Sequence, residues 1–121
     1  MKLTDRQLKL FKLYLYKDLK IFYGSKLNNI NHLSDMDDFC TIVSIDEATI
    51  EEQVNNRDKI INYPSDAKSY IINVRICDQM DHLKGMLMKY FVTTIGFDPY
   101  PVPETLIDIK LLSHMAYKLE K

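Results

Sequence analysis

The strongest constraint on the fold is an amphipathic helical pattern at the start of the chain. Apolar residues recur there at steps of three and four, which is one face of an α-helix. The residues of this face are Leu8, Phe11, Leu15, Leu19 and Phe22. Thr4 followed by Gln7 predicts a capping box where the helix begins, and Gly24 predicts where it ends. We therefore predict a first helix between Thr4 and Gly24 with an apolar face turned inward.

Two short helices are predicted next. Ser34 is a suitable N-cap and is followed by three aspartates, which favour the first turn of a helix near 35–43. Ser44 with Glu47 has the spacing of a second capping box and predicts a helix near 45–56. This helix ends before Pro64, because the residue that precedes a proline is pushed out of the helical conformation.

The longest helix is predicted between Ser65 and Gly96. Its apolar stripe comprises Ile72, Ile76, Met80, Leu83, Leu87 and Thr94. A last helix is predicted from Pro103, with Ile109, Leu112, Ala116 and Leu119 facing inward. The predicted fold class is all-α, a compact bundle of about four to five helices around a long central helix, in a single domain over residues 1–121. Leu87→Ala is then expected to cost about 2–5 kcal/mol of stability.

An α+β fold is the alternative. Residues 39–45 and 70–76 are rich in β-branched and aromatic residues, as strands are. With a helix over 46–62 between them they could form a βαβ unit. Residues 91–95 would supply the third strand of a small sheet.

Charge is unevenly distributed along the chain. Residues 1–26 contain seven Lys or Arg against two Asp, and residues 27–56 contain seven Asp or Glu and no Lys or Arg. The formal net charge of the whole chain is only −1, so overall charge gives no attraction to nucleic acid or to an anionic membrane. Oppositely charged segments of this kind can pair within one chain or between subunits.

The basic side of the first helix is the main candidate site. On a helical wheel its lysines gather opposite Phe11 and Leu15, with apolar and aromatic residues among them. Three interpretations are open: a solvated surface, a nucleic-acid surface with bases stacked on Tyr, or a protein interface with apolar anchors. The candidate residues are Lys9, Lys12, Leu13, Tyr16, Lys20 and Tyr23, together with Tyr100 in the proline-rich connector 98–103.

The sequence contains no recognisable catalytic motif, and no catalytic, cofactor-binding or metal-binding residues are predicted. Its three glycines cannot build a phosphate-binding loop. Asp78 and His82 are four residues apart and would need His114 as a third ligand to hold a metal ion. Cys40 and Cys77 are expected to be buried, reduced thiols. No signal peptide or membrane-spanning segment is recognised, so a cytoplasmic location is expected, the host cytoplasm if the protein is viral.

These observations predict a small, non-enzymatic helical module for protein–protein interaction or assembly, which self-associates or binds another protein. The abundance of Lys, Ile, Asn and Tyr indicates an A/T-rich genome, which suits a viral or phage accessory protein. The alternative is a nucleic-acid-binding factor that uses the basic side of the first helix. A small metal-dependent enzyme is the residual possibility.

Overall fold

The fold is a four-stranded antiparallel sheet with a long helix on one face. The computed structural model describes residues 3–23, 40–63, 65, 67–77, 84–94 and 106–118. In chain order the elements are α1 (Asp5–Tyr23), β1 (Cys40–Glu47), α2 (Ile50–Asn56), β2 (Lys68–Cys77), β3 (Lys84–Thr94) and β4 (Leu106–Lys118). The strand order in the sheet is β1-β2-β3-β4, and each strand is antiparallel to its neighbours.

Helix α1 begins where the sequence predicts. The Thr4 backbone N–H donates to Gln7 Oε1 at 3.0 Å, and the Gln7 N–H donates to Thr4 Oγ1 at 3.2 Å. The predicted capping box is therefore confirmed. Three residues of the predicted inner face, Phe11, Leu15 and Leu19, are completely buried. The expected end at Gly24 lies outside the described residues.

The main core lies between α1 and the first face of the sheet. Alternate residues of β2 and β3 point to this face, because successive side chains of a strand point to opposite sides. The buried strand residues that pack with α1 are Ile72, Val74, Ile76, Met88, Tyr90 and Val92. The rings of Phe11 and Tyr90 meet edge to face, with centroids 5.2 Å apart. The Tyr90 hydroxyl donates to Asp18 Oδ2 at 3.0 Å. This hydrogen bond connects β3 to α1.

Among the described residues, the second face of the sheet is covered only at one end. Ala48, Ile71 and Phe91 form a small buried cluster there, with Leu112 packed against it. Ser69 and Thr93 share a hydrogen bond of 2.9 Å beside the cluster, and Arg57 Nε donates to Ser69 Oγ. Because Arg57 directly follows α2, this contact places α2 on the side of the second face, opposite α1.

The all-α prediction is wrong, and with it the helical bundle and the long central helix. The segment expected to form that helix contains β2 and β3, which pair from Lys68↔Thr94 to Cys77↔Gly85, and the expected last helix is β4. Residues four apart lie on one face of a helix, because four residues are close to one turn. They also lie on one face of a strand, because side chains an even number of residues apart point to the same side. Ile72 and Ile76 therefore share a face in a strand as they would in a helix.

The expected burial of Leu87 is also wrong. This residue lies on the second face and is 41 % exposed, since it alternates with the buried Met88. Leu87→Ala therefore does not open a cavity in the core, and the expected cost of about 2–5 kcal/mol does not hold.

The predictions for residues 35–56 need correction as well. Residues 40–43 of the first predicted short helix belong to β1, and its remaining residues lie outside the described part. The second short helix exists, but its capping box is Thr49 with Glu52, five residues after Ser44 with Glu47. The strands of the α+β alternative overlap β1, β2 and β3. However, β1 and β2 are antiparallel where a βαβ unit needs parallel strands, and β4 was missed.

Candidate protein-interaction surfaces

The structure divides the predicted site on α1 into exposed and half-buried parts. Lys9, Leu13 and Lys20 are exposed, whereas Lys12 and Tyr16 are half-buried. Tyr16 packs against the edge of the main core, and Lys20 Nζ lies 4.7 Å from the centroid of its ring. The Tyr16 ring is therefore engaged within the chain. The side chain of Tyr23 and all of Tyr100 lie outside what the structure describes.

A stripe of apolar residues runs along the outward side of α1. We call it the outer stripe, and it consists of Leu10, Leu13, Tyr14 and Ile21. Their spacing of three, four and seven residues places them on one side of the helix, away from Phe11, Leu15 and Leu19. Ile21 is 80 % exposed. Helix α1 thus has two apolar sides, of which only one is packed in the described structure.

Sequence reasoning found one member of the outer stripe, Leu13, and missed the other three. Their spacing was readable in the sequence, because Leu10 and Tyr14 are four residues apart and Ile21 follows seven later. The lysines between them predict a site on the neighbouring, basic side of the helix instead. The stripe and the predicted basic side therefore overlap without being the same surface.

The surroundings of the outer stripe are positively charged. Arg6, Lys9, Lys17 and Lys20 are exposed on α1, where Asp5 is an exposed acid. The second acid of the helix, Asp18, is half-buried and accepts the hydrogen bond from Tyr90. Burial, with a smaller contribution from the Asp18 charge, raises the pKa of the Tyr90 phenol, which stays protonated and keeps donating. The carboxylate of Asp18 is thus occupied by an internal contact.

A second exposed apolar surface surrounds α2. It consists of Ile50, Val54, Ile60 and Ile61, and we call it the α2 patch. Ile50 is 81 % and Ile60 is 93 % exposed, and helix α2 has no buried residue. Ile50, Val54 and Ile61 line a shallow depression of about 290 Å³. Burial in the described chain therefore does not explain why these side chains are apolar.

The third exposed surface is the end of the second sheet face that no described segment covers, which we call the open half-sheet. Its apolar residues are Val43, Leu87 and Met115 from three different strands. They line a depression of about 340 Å³ together with Asn73, Lys89 and Ser113. Val43 is the extra residue of a bulge in β1, between Ile42 and Ser44. These side chains meet only through the register of the strands, and the sequence carried no signal that could have grouped them.

The described residues offer little support for catalysis or metal binding. Within the described ranges, no three His, Cys, Asp or Glu side chains are grouped so as to hold a metal ion. His114 lies exposed on β4, while Asp78 and His82, its suggested co-ligands, fall outside those ranges. Cys40 is buried in the main core, and the side chain of Cys77 is not described. Neither described helix is long and apolar enough to cross a membrane.

Comparison with known proteins assigns no relative to this chain. No protein-family model, no curated protein sequence and no solved structure matches it. The class that the structure defines is a four-stranded antiparallel α+β fold, and its described residues form three exposed apolar surfaces.

Proposed function

We propose that the protein is a non-enzymatic protein–protein interaction module, and that the outer stripe of α1 is its contact surface for a partner. The observation that carries this proposal is the exposure of Leu10, Leu13, Tyr14 and Ile21 on a helix whose opposite side is already packed. Large apolar side chains in contiguous exposed groups mark interaction sites more often than isolated ones do. The prediction of a helical module is replaced by an α+β module of the same kind.

The composition of the outer stripe suits a protein partner. Protein interfaces have an apolar and aromatic centre surrounded by polar residues, and a few anchors supply most of the binding energy. Leu13 and Tyr14 are adjacent members of the stripe, Arg6 and Lys9 lie near its N-terminal end, and Lys17 lies within it between Tyr14 and Ile21. From Leu10 to Ile21 the stripe extends for roughly 16 Å, about three turns of helix.

The charges around the stripe select the kind of partner. Exposed basic residues outnumber exposed acidic ones on α1, so an acidic partner is attracted and a basic one is repelled. The occupant we propose is an acidic amphipathic helix of another protein, whose apolar side lies along the stripe and whose carboxylates meet the lysines. A cytoplasmic setting, in the host if the protein is viral, is part of this proposal.

The test compares two exposed isoleucines on opposite sides of the molecule. Wild-type protein, Ile21→Ala and Ile60→Ala are used as baits in the natural source, and a captured protein is purified and titrated against each bait by calorimetry. We expect Ile21→Ala to weaken binding at least about tenfold, a loss of about 1.4 kcal/mol, and Ile60→Ala to leave it unchanged. Binding should also weaken as salt rises. Equal affinities for the two variants would overturn the proposal.

Nucleic-acid binding is the alternative, and the exposed Lys9 and Lys20 favour it. Against it, Tyr16 packs on the core and lies beside Lys20, so its ring is poorly placed to stack on a base. Phosphate contacts would make the affinity for DNA or RNA fall steeply with salt. A shift of single-stranded DNA at low salt, lost on joint replacement of Lys9, Lys12 and Lys20 by Glu in a protein that keeps its circular dichroism spectrum, would support this alternative.

A further inference from the structure

We propose that two copies of the chain form a two-fold dimer through the second face of the sheet. In this dimer the α2 patch of each copy covers the open half-sheet of the other. The occupant of the open half-sheet is thus a second copy of this chain. The proposal is independent of the α1 site, because α1 lies on the opposite face of the sheet.

In the part of the chain that the structure describes, one end of the second face has no covering layer. A sheet is stable when its apolar face is packed against another layer. On the first face α1 supplies that layer, but on the second face the cluster of Ala48, Ile71 and Phe91 covers only one end. At the other end, Leu87 faces Met115 across β3 and β4, and both side chains are exposed. An apolar partner surface would complete the layer there.

The α2 patch and the open half-sheet carry opposite charges. The exposed charged residues described on the open half-sheet are the basic Arg75 and Lys89. Around α2 the residues Asp46, Glu51, Glu52 and Asp58 are acidic, and Arg57 and Lys59 are basic. One of the two basic residues, Arg57, is held internally by Ser69 Oγ and the Ala67 carbonyl. The α2 patch therefore brings an acidic border to a basic, apolar surface.

The positions of the two surfaces allow a two-fold symmetric dimer. The α2 patch and the open half-sheet lie on the same side of the sheet but at opposite ends of the strands, since Ser69 contacts Arg57 and Arg75 lies six residues further along β2. Consider a two-fold axis that lies parallel to the sheet and perpendicular to the strands. It places the second face of one copy against the second face of the other, with the α2 end of each copy over the open half-sheet of its partner. Both contacts then form twice, and the assembly closes as a dimer. The two second faces would then face each other, with the two α2 helices between the sheets.

The dimer should be detectable with the full chain by sedimentation equilibrium. Val54→Asp in the α2 patch and Leu87→Asp in the open half-sheet should each raise the dimer dissociation constant at least about tenfold. Leu13→Asp, on the outer stripe, is the matched control and should leave it unchanged. Because all three side chains are exposed, each variant should remain folded as a monomer and show a cooperative thermal melt. High salt should weaken the wild-type dimer.

A cross-linking experiment tests the arrangement directly. Val54→Cys and Leu87→Cys are prepared as separate proteins in a chain that also carries Cys77→Ser, mixed and treated with a short bismaleimide. The mixture should give a cross-linked dimer, and neither variant alone should exceed the background of the Cys77→Ser chain. A wild-type chain that is monomeric at about 100 μM, or a dimer that Leu13→Asp dissociates while the two sheet-face variants do not, would overturn the proposal. Neither result would bear on the proposed function, because the outer stripe is tested by the separate titration of Ile21→Ala with a foreign partner.

Discussion

Phe11→Ala should be the most damaging single substitution in α1. Phe11 is completely buried, and its ring meets Tyr90 edge to face at 5.2 Å. Removing a buried Phe side chain costs about 3–5 kcal/mol, of which about 1 kcal/mol reflects the aromatic pair. That is a large share of the roughly 5–15 kcal/mol that stabilises an ordinary domain.

Urea unfolding followed by circular dichroism measures this cost. The midpoint should fall while the slope of free energy against urea stays the same, because the surface exposed on unfolding hardly changes. In a thermal melt the midpoint should drop by roughly 12–20 °C, at about 4 °C for each kcal/mol in a domain of this size. Leu13→Ala, two residues further along the same helix, is the control and should cost less than about 1 kcal/mol.

Two results would refute the reasoning. If Leu13→Ala cost as much as Phe11→Ala, α1 would be buried on both sides, and the outer stripe would not be a surface in solution. If Phe11→Ala cost less than about 1 kcal/mol, α1 would not pack on the first face of the sheet as described.

Three other substitutions probe the rest of the fold. In dilute, monomeric protein Leu87→Ala should cost about 1 kcal/mol, because a half-exposed side chain loses little burial and leaves no closed cavity; a cost equal to that of Phe11→Ala would contradict the sheet register. Because burial raises the pKa of Tyr90 in the folded state, the phenol stays protonated to a higher pH in the folded protein than in the unfolded chain. The free energy of unfolding should then fall above about pH 10, by up to about 1.4 kcal/mol per pH unit, and Tyr90→Phe should flatten that decline in a series of urea melts. Thr49→Ala removes the oxygen that accepts from the Glu52 N–H at 3.1 Å; it should speed hydrogen exchange of that amide with little effect on global unfolding, since α2 buries no residue.

The sequence predicts α1 well because two independent signals coincide there. The three- and four-residue spacing includes odd steps, such as that from Leu8 to Phe11, which a strand cannot place on one face. The Thr4 and Gln7 pair then fixes the start of the helix. Neither signal depends on another part of the chain, so local reasoning is sufficient.

The same reasoning fails after residue 65 because the spacing there is ambiguous. The step from Ile72 to Ile76 fits both a helix and a strand, and the buried Val74 between them is the residue that distinguishes the two. An alternation of buried and exposed residues every two positions identifies β2, but both of its faces are partly covered. Ile71 is buried as well as Ile72, which hides the alternation in the sequence.

Of the candidate surfaces, one could be predicted from local sequence spacing and another could not. The outer stripe could have been read from the spacing of Leu10, Tyr14 and Ile21, because a helix brings near neighbours in sequence together. The open half-sheet could not, since Val43, Leu87 and Met115 are brought together by the pairing of four strands.

The contact between α1 and β3 also has a consequence for synthesis on the ribosome. Tyr90, which meets Phe11 and Asp18, is made more than 70 residues after them. At about 5–20 residues per second this interval is roughly 4–14 s. During it the nascent helix segment has no sheet to cover Phe11, Leu15 and Leu19, and an isolated helix of this length is only marginally stable in water. Among the described elements, α1 is thus made furthest ahead of its packing partner, and a chaperone that binds apolar segments can bind it during that interval.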